Sequence, residues 1–156
     1  TTVYEDRTRA NRDGSKMLPM VLETAGEPDV VILMLGTNDC KTAYGASAEE
    51  IGEGVRRLIR QIRTYAAQSR ILLMAPIHLG ERVWEEGFDP EFGRNSLLVS
   101  RQLGSVYSEV ARQEQTFFCN AADYASPSDT DREHISPEGH RRLAVAVYET
   151  LRSIGI

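Results

Sequence analysis

Cysteine is scarce in this sequence: Cys40 and Cys119 are the only two in 156 residues, too few to build a disulfide framework. Both abut apolar, strand-like runs, so a pair of reduced thiols is the simplest reading. The three histidines, His78, His134 and His140, share no ligand spacing, so neither a metal site nor another cofactor is expected. No apolar run approaches the roughly 20 residues that span a bilayer, and the first residues do not read as a secretion signal. No membrane partner is therefore expected, and a cytoplasmic setting is the default. Excess positive charge is missing too. With a net charge of −5 and its arginines spread along helices, the chain offers no electrostatic footprint for nucleic acid. Repeats and low-complexity segments are absent. What remains, 41% hydrophobic and 26% charged residues, suits a single globular domain over residues 1–156 with a genuine core. Methionine is also missing from the first position. A start at Thr1 points to processing, cleavage or an incomplete chain.

The organisation is legible in the hydrophobic pattern. Residues 29–35, DVVILML, form a continuous β-branched and aliphatic run after Pro28, the pattern of a parallel strand buried on both faces. From Ser47 to Gln68, Ile51, Val55, Leu58, Ile59, Ile62 and Tyr65 recur at intervals of three and four, with Ser47 as N-cap and Glu49 and Glu50 in the first turn. RILLMA at residues 70–75 is a second buried strand, ended by Pro76, and the strand, helix, strand order implies a right-handed parallel crossover. Helix is expected again over 96–115, and TFFCNA at 116–121 reads as a third strand. The closing helix, Pro137–Ser153, has Pro in its first position and Glu138 in its first turn. Upstream, 15–24 reads as a shorter helix with Ser15 as its N-cap and Pro19 in its first turns. The segment 76–95 is rich in Gly, Pro and charge and carries Trp84, Phe88 and Phe92, longer than most connections and therefore a candidate functional loop. The alternating order predicts an α/β domain with helices on both faces of its sheet. In such sheets ligands bind beyond the carboxyl ends of the strands.

Three of those ends carry chemistry. In DREHISPEG, residues 131–139, Asp131 precedes His134 by three, so that in a loop the carboxylate can orient the imidazole and leave its other nitrogen facing a substrate as a general base. In LGTND, residues 35–39, Gly36, Thr37 and Asn38 leave a buried strand, where an Asn amide can donate to developing negative charge. His78 and Trp84 follow the second strand and are weaker pocket candidates. Each has an ordinary alternative: Asn38 and Asp39 as turn formers, His134 as an exposed loop residue, Asp131 as an Asx-turn residue, Trp84 as a packing residue, His140 as a surface residue. Taken together at three strand ends, the catalytic reading is stronger. A nucleophile is not evident. Asp13-Gly14-Ser15 precedes a helix, and no other serine sits in a suitable turn.

LGTND and DREHISPEGH together resemble the two matching segments of the SGNH, or GDSL-type, hydrolases, a family of esterases, lipases and carbohydrate deacetylases. The chain is most similar to the arylesterase and acetylesterase branch, whose GRTT, ED and RNG signatures are matched in order by Thr1, Thr2, Glu5, Asp6, Arg12, Asp13 and Gly14. The resemblance implies a three-layer α/β/α fold with a flavodoxin-like parallel sheet of order 2-1-3-4-5, its first strands missing from this chain. It implies Asp131 and His134 as triad members, Asn38 as oxyanion donor, and a nucleophilic serine in a Gly-Asp-Ser turn ahead of Thr1. A break after the family's Gly-Arg would give this N-terminus. Loss of the first strand should split the sheet and expose two edges, so the N-terminal fragment of the same protein is an expected partner. The expected function is a serine ester hydrolase acting on a small-molecule ester, with assembly into a homo-oligomer implied by the resemblance. The alternatives are a non-catalytic acyl- or carbohydrate-binding module on the same fold and, more remotely, Thr1 as an N-terminal nucleophile.

Overall fold

A computed structural model of the protein describes residues 1–6 and 8–156. Among the described residues the elements run α1 Gly14–Ala25, β1 Val30–Leu33, α2 Ala48–Tyr65, β2 Arg70–Ala75, α3 Arg94–Glu114, β3 Phe117–Asn120 and α4 Pro137–Ser153. The three strands are parallel in the order β1-β2-β3, with Val30 opposite Arg70 and Leu72 opposite Phe117. This is the expected α/β class, a three-strand parallel sheet with helices on both faces. The stacked-sheet architecture that an N-terminal nucleophile requires is not what these strands form.

Local chemistry explains the helix boundaries. Ser47 and Glu50 close a full capping box at α2: the Ser47 hydroxyl accepts from Glu50 N at 3.2 Å and the Glu50 carboxylate from Ser47 N at 2.8 Å. Ser136 caps α4 through Gly139 N at 3.1 Å, with Pro137 next. At α1 the expectation needs correction. The cap is Asp13, whose carboxylate accepts from Ser15 N at 2.9 Å and from the Ser15 hydroxyl at 2.7 Å, so Ser15 is a donor inside the first turn. Pro19 lies inside α1 and cannot donate to the carbonyl of Ser15, four residues back. That carbonyl instead accepts from Gln61 Nε2 of α2 at 2.7 Å, which makes the missing donor a tie between two helices. Arg56 and Arg63 of α2 both pair with Glu114 at the end of α3.

The two faces of the sheet are covered unequally. Helices α1, α2 and α3 pack on one face, where Leu33, Ile71, Leu73 and Ala75 meet Ile51, Val55, Leu58, Ile62 and Leu103 in one large core. On the other face Leu72, Met74 and Cys119 meet α4 alone through Leu143, with Val147 and Leu151 alongside. Side chains alternate along β1, so Val31, Leu33 and Leu35 join the large core while Ile32 and Met34 turn to the face of α4. There they stay 43% and 39% exposed. The DVVILML strand is thus covered on one face, not both. The sheet is also continuous, not split, because β1, β2 and β3 are consecutive neighbours.

Candidate functional site

The turn after β1 is assembled from buried polar groups. Gly36 has φ +135, and a Cβ there would meet the hydroxyl of Tyr107, which donates to the Leu35 carbonyl at 2.7 Å. Thr37 leads into a short 3-10 turn, Asn38–Cys40. Asp39, fully buried, accepts from Thr2 N at 2.7 and 3.0 Å and also from the Thr2 hydroxyl. This carboxylate therefore ties the first residues to the turn that presents Asn38. Burial pushes the Asp39 carboxyl above the usual carboxylate range even though the Thr2 donors pull the other way. The next side chains are equally enclosed. Burial drives the Cys40 thiol up to about 12, which favours the protonated thiol beside Asn38. Lys41 is buried and pairs with Glu91 at 2.5 Å, while Thr42 N donates to the Glu91 carbonyl at 2.9 Å.

The second turn is open. Asp131 uses its two carboxylate oxygens for separate tasks. Oδ1 accepts from Glu133 N at 3.0 Å and His134 N at 2.9 Å, an Asx-type turn, and Oδ2 lies 3.0 Å from His134 Nδ1. The turn role and the orienting role are therefore both filled by one side chain. The two backbone donors, together with the imidazole, hold the Asp131 carboxyl below its usual range. His134 is 76% exposed and Asp131 42%. The loop closes on itself through Ser128 N to the His134 carbonyl at 2.7 Å and Arg132 N to the Ser128 carbonyl at 2.8 Å.

Asn38 and His134 meet in the wall of one cavity of about 290 Å³, together with Met34, Thr37, Pro76, Ile77, Glu133, Ile135 and His140. With Nδ1 held by Asp131, the other ring nitrogen of His134 is the one free to work. Gly36, His78 and Trp84 are not in this wall. Gly36 is consumed by the turn itself. His78 is half-buried after β2, where burial and Arg101 depress its imidazole below the ordinary value. Trp84 packs on the large core with the Arg94 guanidinium 5.7 Å from its ring. His140, exposed on α4, was legible only as a surface residue but borders the cavity because α4 starts beside β1's free face. Glu133, in the same wall, has its carboxyl raised by burial, and no sequence signal marked it. Asp39 was legible only as a turn residue, yet its neighbour Thr2 gives it a load across 37 positions. Among the described residues no serine lines the cavity, and no three His, Cys, Asp or Glu gather as a metal would require.

Comparison with known proteins gives a consistent result. Est24, a carbohydrate acetylesterase from Sinorhizobium meliloti, is 31% identical and superposes with a TM-score of 0.89 over 99% of this chain and 74% of that one. The inhibitor-bound aryl esterase of M. smegmatis is 29% identical, with a TM-score of 0.90 over 98% of this chain and 74% of that one. This chain thus spans about three quarters of the length of either structure. Among curated proteins none matches significantly. Residues 3–142 match the model of the GDSL-like Lipase/Acylhydrolase family, and the chain belongs to that family of ester hydrolases.

Proposed function

We propose that this chain, with polypeptide ahead of Thr1, is a serine carboxylesterase for small acyl esters, such as acetyl esters of sugars or aryl alcohols. Its triad would combine Asp131 and His134 with an upstream serine. The observation that carries the reading is the shared cavity, in which Asn38 and an Asp131-held His134 border the same space. In the reaction the serine attacks the ester carbonyl while the free nitrogen of His134 takes its proton and delivers it to the leaving alcohol. Asp131 holds the tautomer and stabilises the imidazolium. The Asn38 amide donates to the oxyanion, and water, activated by His134, then releases the acid. Thr37 and Met34 would border the acyl group.

The uncovered part of the sheet supports the upstream segment as a partner. A parallel strand added to the free edge of β1 and a helix laid over Ile32 and Met34 would complete the layer that α4 leaves half-built. Intact mass measurement of the native protein tests this directly: a longer chain, or a second peptide carrying a serine turn, is the expected result. Hydrolysis of p-nitrophenyl acetate by that intact protein, abolished in His134→Ala, is the expected activity. No turnover with the upstream segment present would overturn the esterase and leave an acyl- or carbohydrate-binding module in its place, whereas turnover that survives His134→Ala would remove His134 as the base and overturn the proposed triad.

A further inference from the structure

The loop that carries Asp131 and His134 lies at the surface, and hydrogen bonds within it account for its shape but not for its position over the cavity. Ile135 packs against the smaller core, and the loop's hydrogen bonds to the rest of the molecule converge on Arg132, the residue beside Asp131. The Arg132 carbonyl accepts from Gly80 N at 2.7 Å. Its guanidinium donates from Nη1 to the carbonyls of Glu81 at 3.0 Å and Arg82 at 3.2 Å, and its Cζ lies 3.9 Å from the centroid of the Phe88 ring. Glu85 adds a carboxylate at 3.7 Å. The segment it grips is itself fixed. Val83 and Phe92 are buried in the large core, and Glu91 pairs with Lys41 just past Asn38. One connection, residues 76–93, therefore holds both site-bearing turns.

Two features show that this grip has been built at a cost. Arg132 has φ +60, a left-handed conformation disfavoured for a side chain of this kind. A Cβ on Gly80 would lie 2.7 Å from Arg132 Cβ and 3.0 Å from its carbonyl oxygen, so the two backbones touch only because residue 80 is glycine. We propose that Arg132 is a positioning residue: its backbone and guanidinium pin the Asp131–His134 loop to residues 80–88 and so fix the imidazole relative to Asn38. The proposal rests on the esterase reading for its effect on turnover and on geometry alone for its effect on the loop.

The test uses the intact protein with its upstream polypeptide. In Arg132→Ala and, separately, Gly80→Ala, kcat for p-nitrophenyl acetate should fall about 10- to 100-fold while KM stays within about threefold, because the reacting groups are misplaced and the pocket walls are not. Arg132→Lys, which keeps a donor but loses the fork and the flat stack, should recover only part of the loss. Hydrogen exchange at Gly80 and across 128–136 should quicken at least about tenfold in Arg132→Ala. Arg132→Gly separates the pin from mere loop filling. If the side chain only occupies a strained position, glycine there relieves φ and turnover matches or exceeds the wild type, which overturns the proposal. Wild-type exchange protection in Arg132→Ala overturns it as well, and that readout holds even if the esterase reading fails.

Discussion

The two turns that meet in the cavity are built on opposite plans. The Asn38 turn is part of the core: Asp39, Cys40 and Lys41 are all buried, Tyr107 holds the strand end, and Thr2 reaches in from the start of the chain. The His134 loop opens its Asp131 and His134 side chains to solvent and is held by one carboxylate within it, by Arg132 and by Ile135 against the smaller core. The difference follows from the work proposed for each. An oxyanion donor gains by being rigid, and here buried neighbours hold an amide that is itself exposed to the cavity, so the preorganised dipole needs no rearrangement as charge develops. A base that exchanges protons with serine, leaving group and water needs access, so it is placed outside the core and held by hydrogen bonds instead of packing.

Four experiments would break or sharpen this contrast. The largest expected effect is on turnover in His134→Ala, a loss of about four to six orders of magnitude in the intact protein. Because the side chain is exposed, its unfolding free energy should shift by no more than about 0.5 kcal/mol in a urea titration. Asn38→Ala should cost about 100- to 1,000-fold in kcat, the usual loss for one oxyanion donor. Equal losses at the two positions would remove the functional side of the comparison. Gly36→Ala should act on stability first, by about 3 kcal/mol, since a Cβ there must enter a positive φ and displace Tyr107. A glycine that tolerated alanine would mean the first turn is far softer than its burial indicates.

The smallest effect is electrostatic and has opposite sign at the two turns. Asp39 is raised by burial, so its native proton is held more tightly than in the unfolded chain. Its contribution to stability is complete at low pH and declines as pH rises through the native value. Asp131 is lowered by the backbone donors of Glu133 and His134. Its contribution is present above the ordinary carboxylate range and is lost as pH falls through the native value. Carboxyl-carbon NMR titrations of the two residues should therefore fall on either side of about 3.9. Midpoints in the reverse order would contradict the contrast outright.

Much of the frame was legible in the residues. Continuous apolar runs located β1 and β2, three-and-four spacing located α2, and Ser47 and Pro137 announced helix starts that the structure keeps. The motifs LGTND and DREH contain Asn38 and His134, two of the residues that line the cavity. Less legible were features decided by what packs from elsewhere. DVVILML reads as doubly buried, but burial depends on a neighbour, and on the α4 side Ile32 and Met34 are only partly covered. Asp13 and Ser15 are both good capping residues, and only the backbone geometry shows that Asp13 accepts. Arg132 looked like the filler of Asp-x-x-His. Its contacts lie some 44 to 52 positions upstream, from Gly80 to Phe88, beyond the reach of any local pattern.

By itself, then, the sequence determined which segments become strands and helices, and which two turns hold an amide and a carboxylate-supported imidazole, because spacing, caps and hydrophobic period act over a few residues. Tertiary structure alone decided that those turns share a cavity, that Asp39 anchors Thr2, and that residues 76–93 brace both turns at once. Such relations depend on parallel strands ending on the same side of a sheet and on burial by distant parts of the chain, and neither is encoded at any one position.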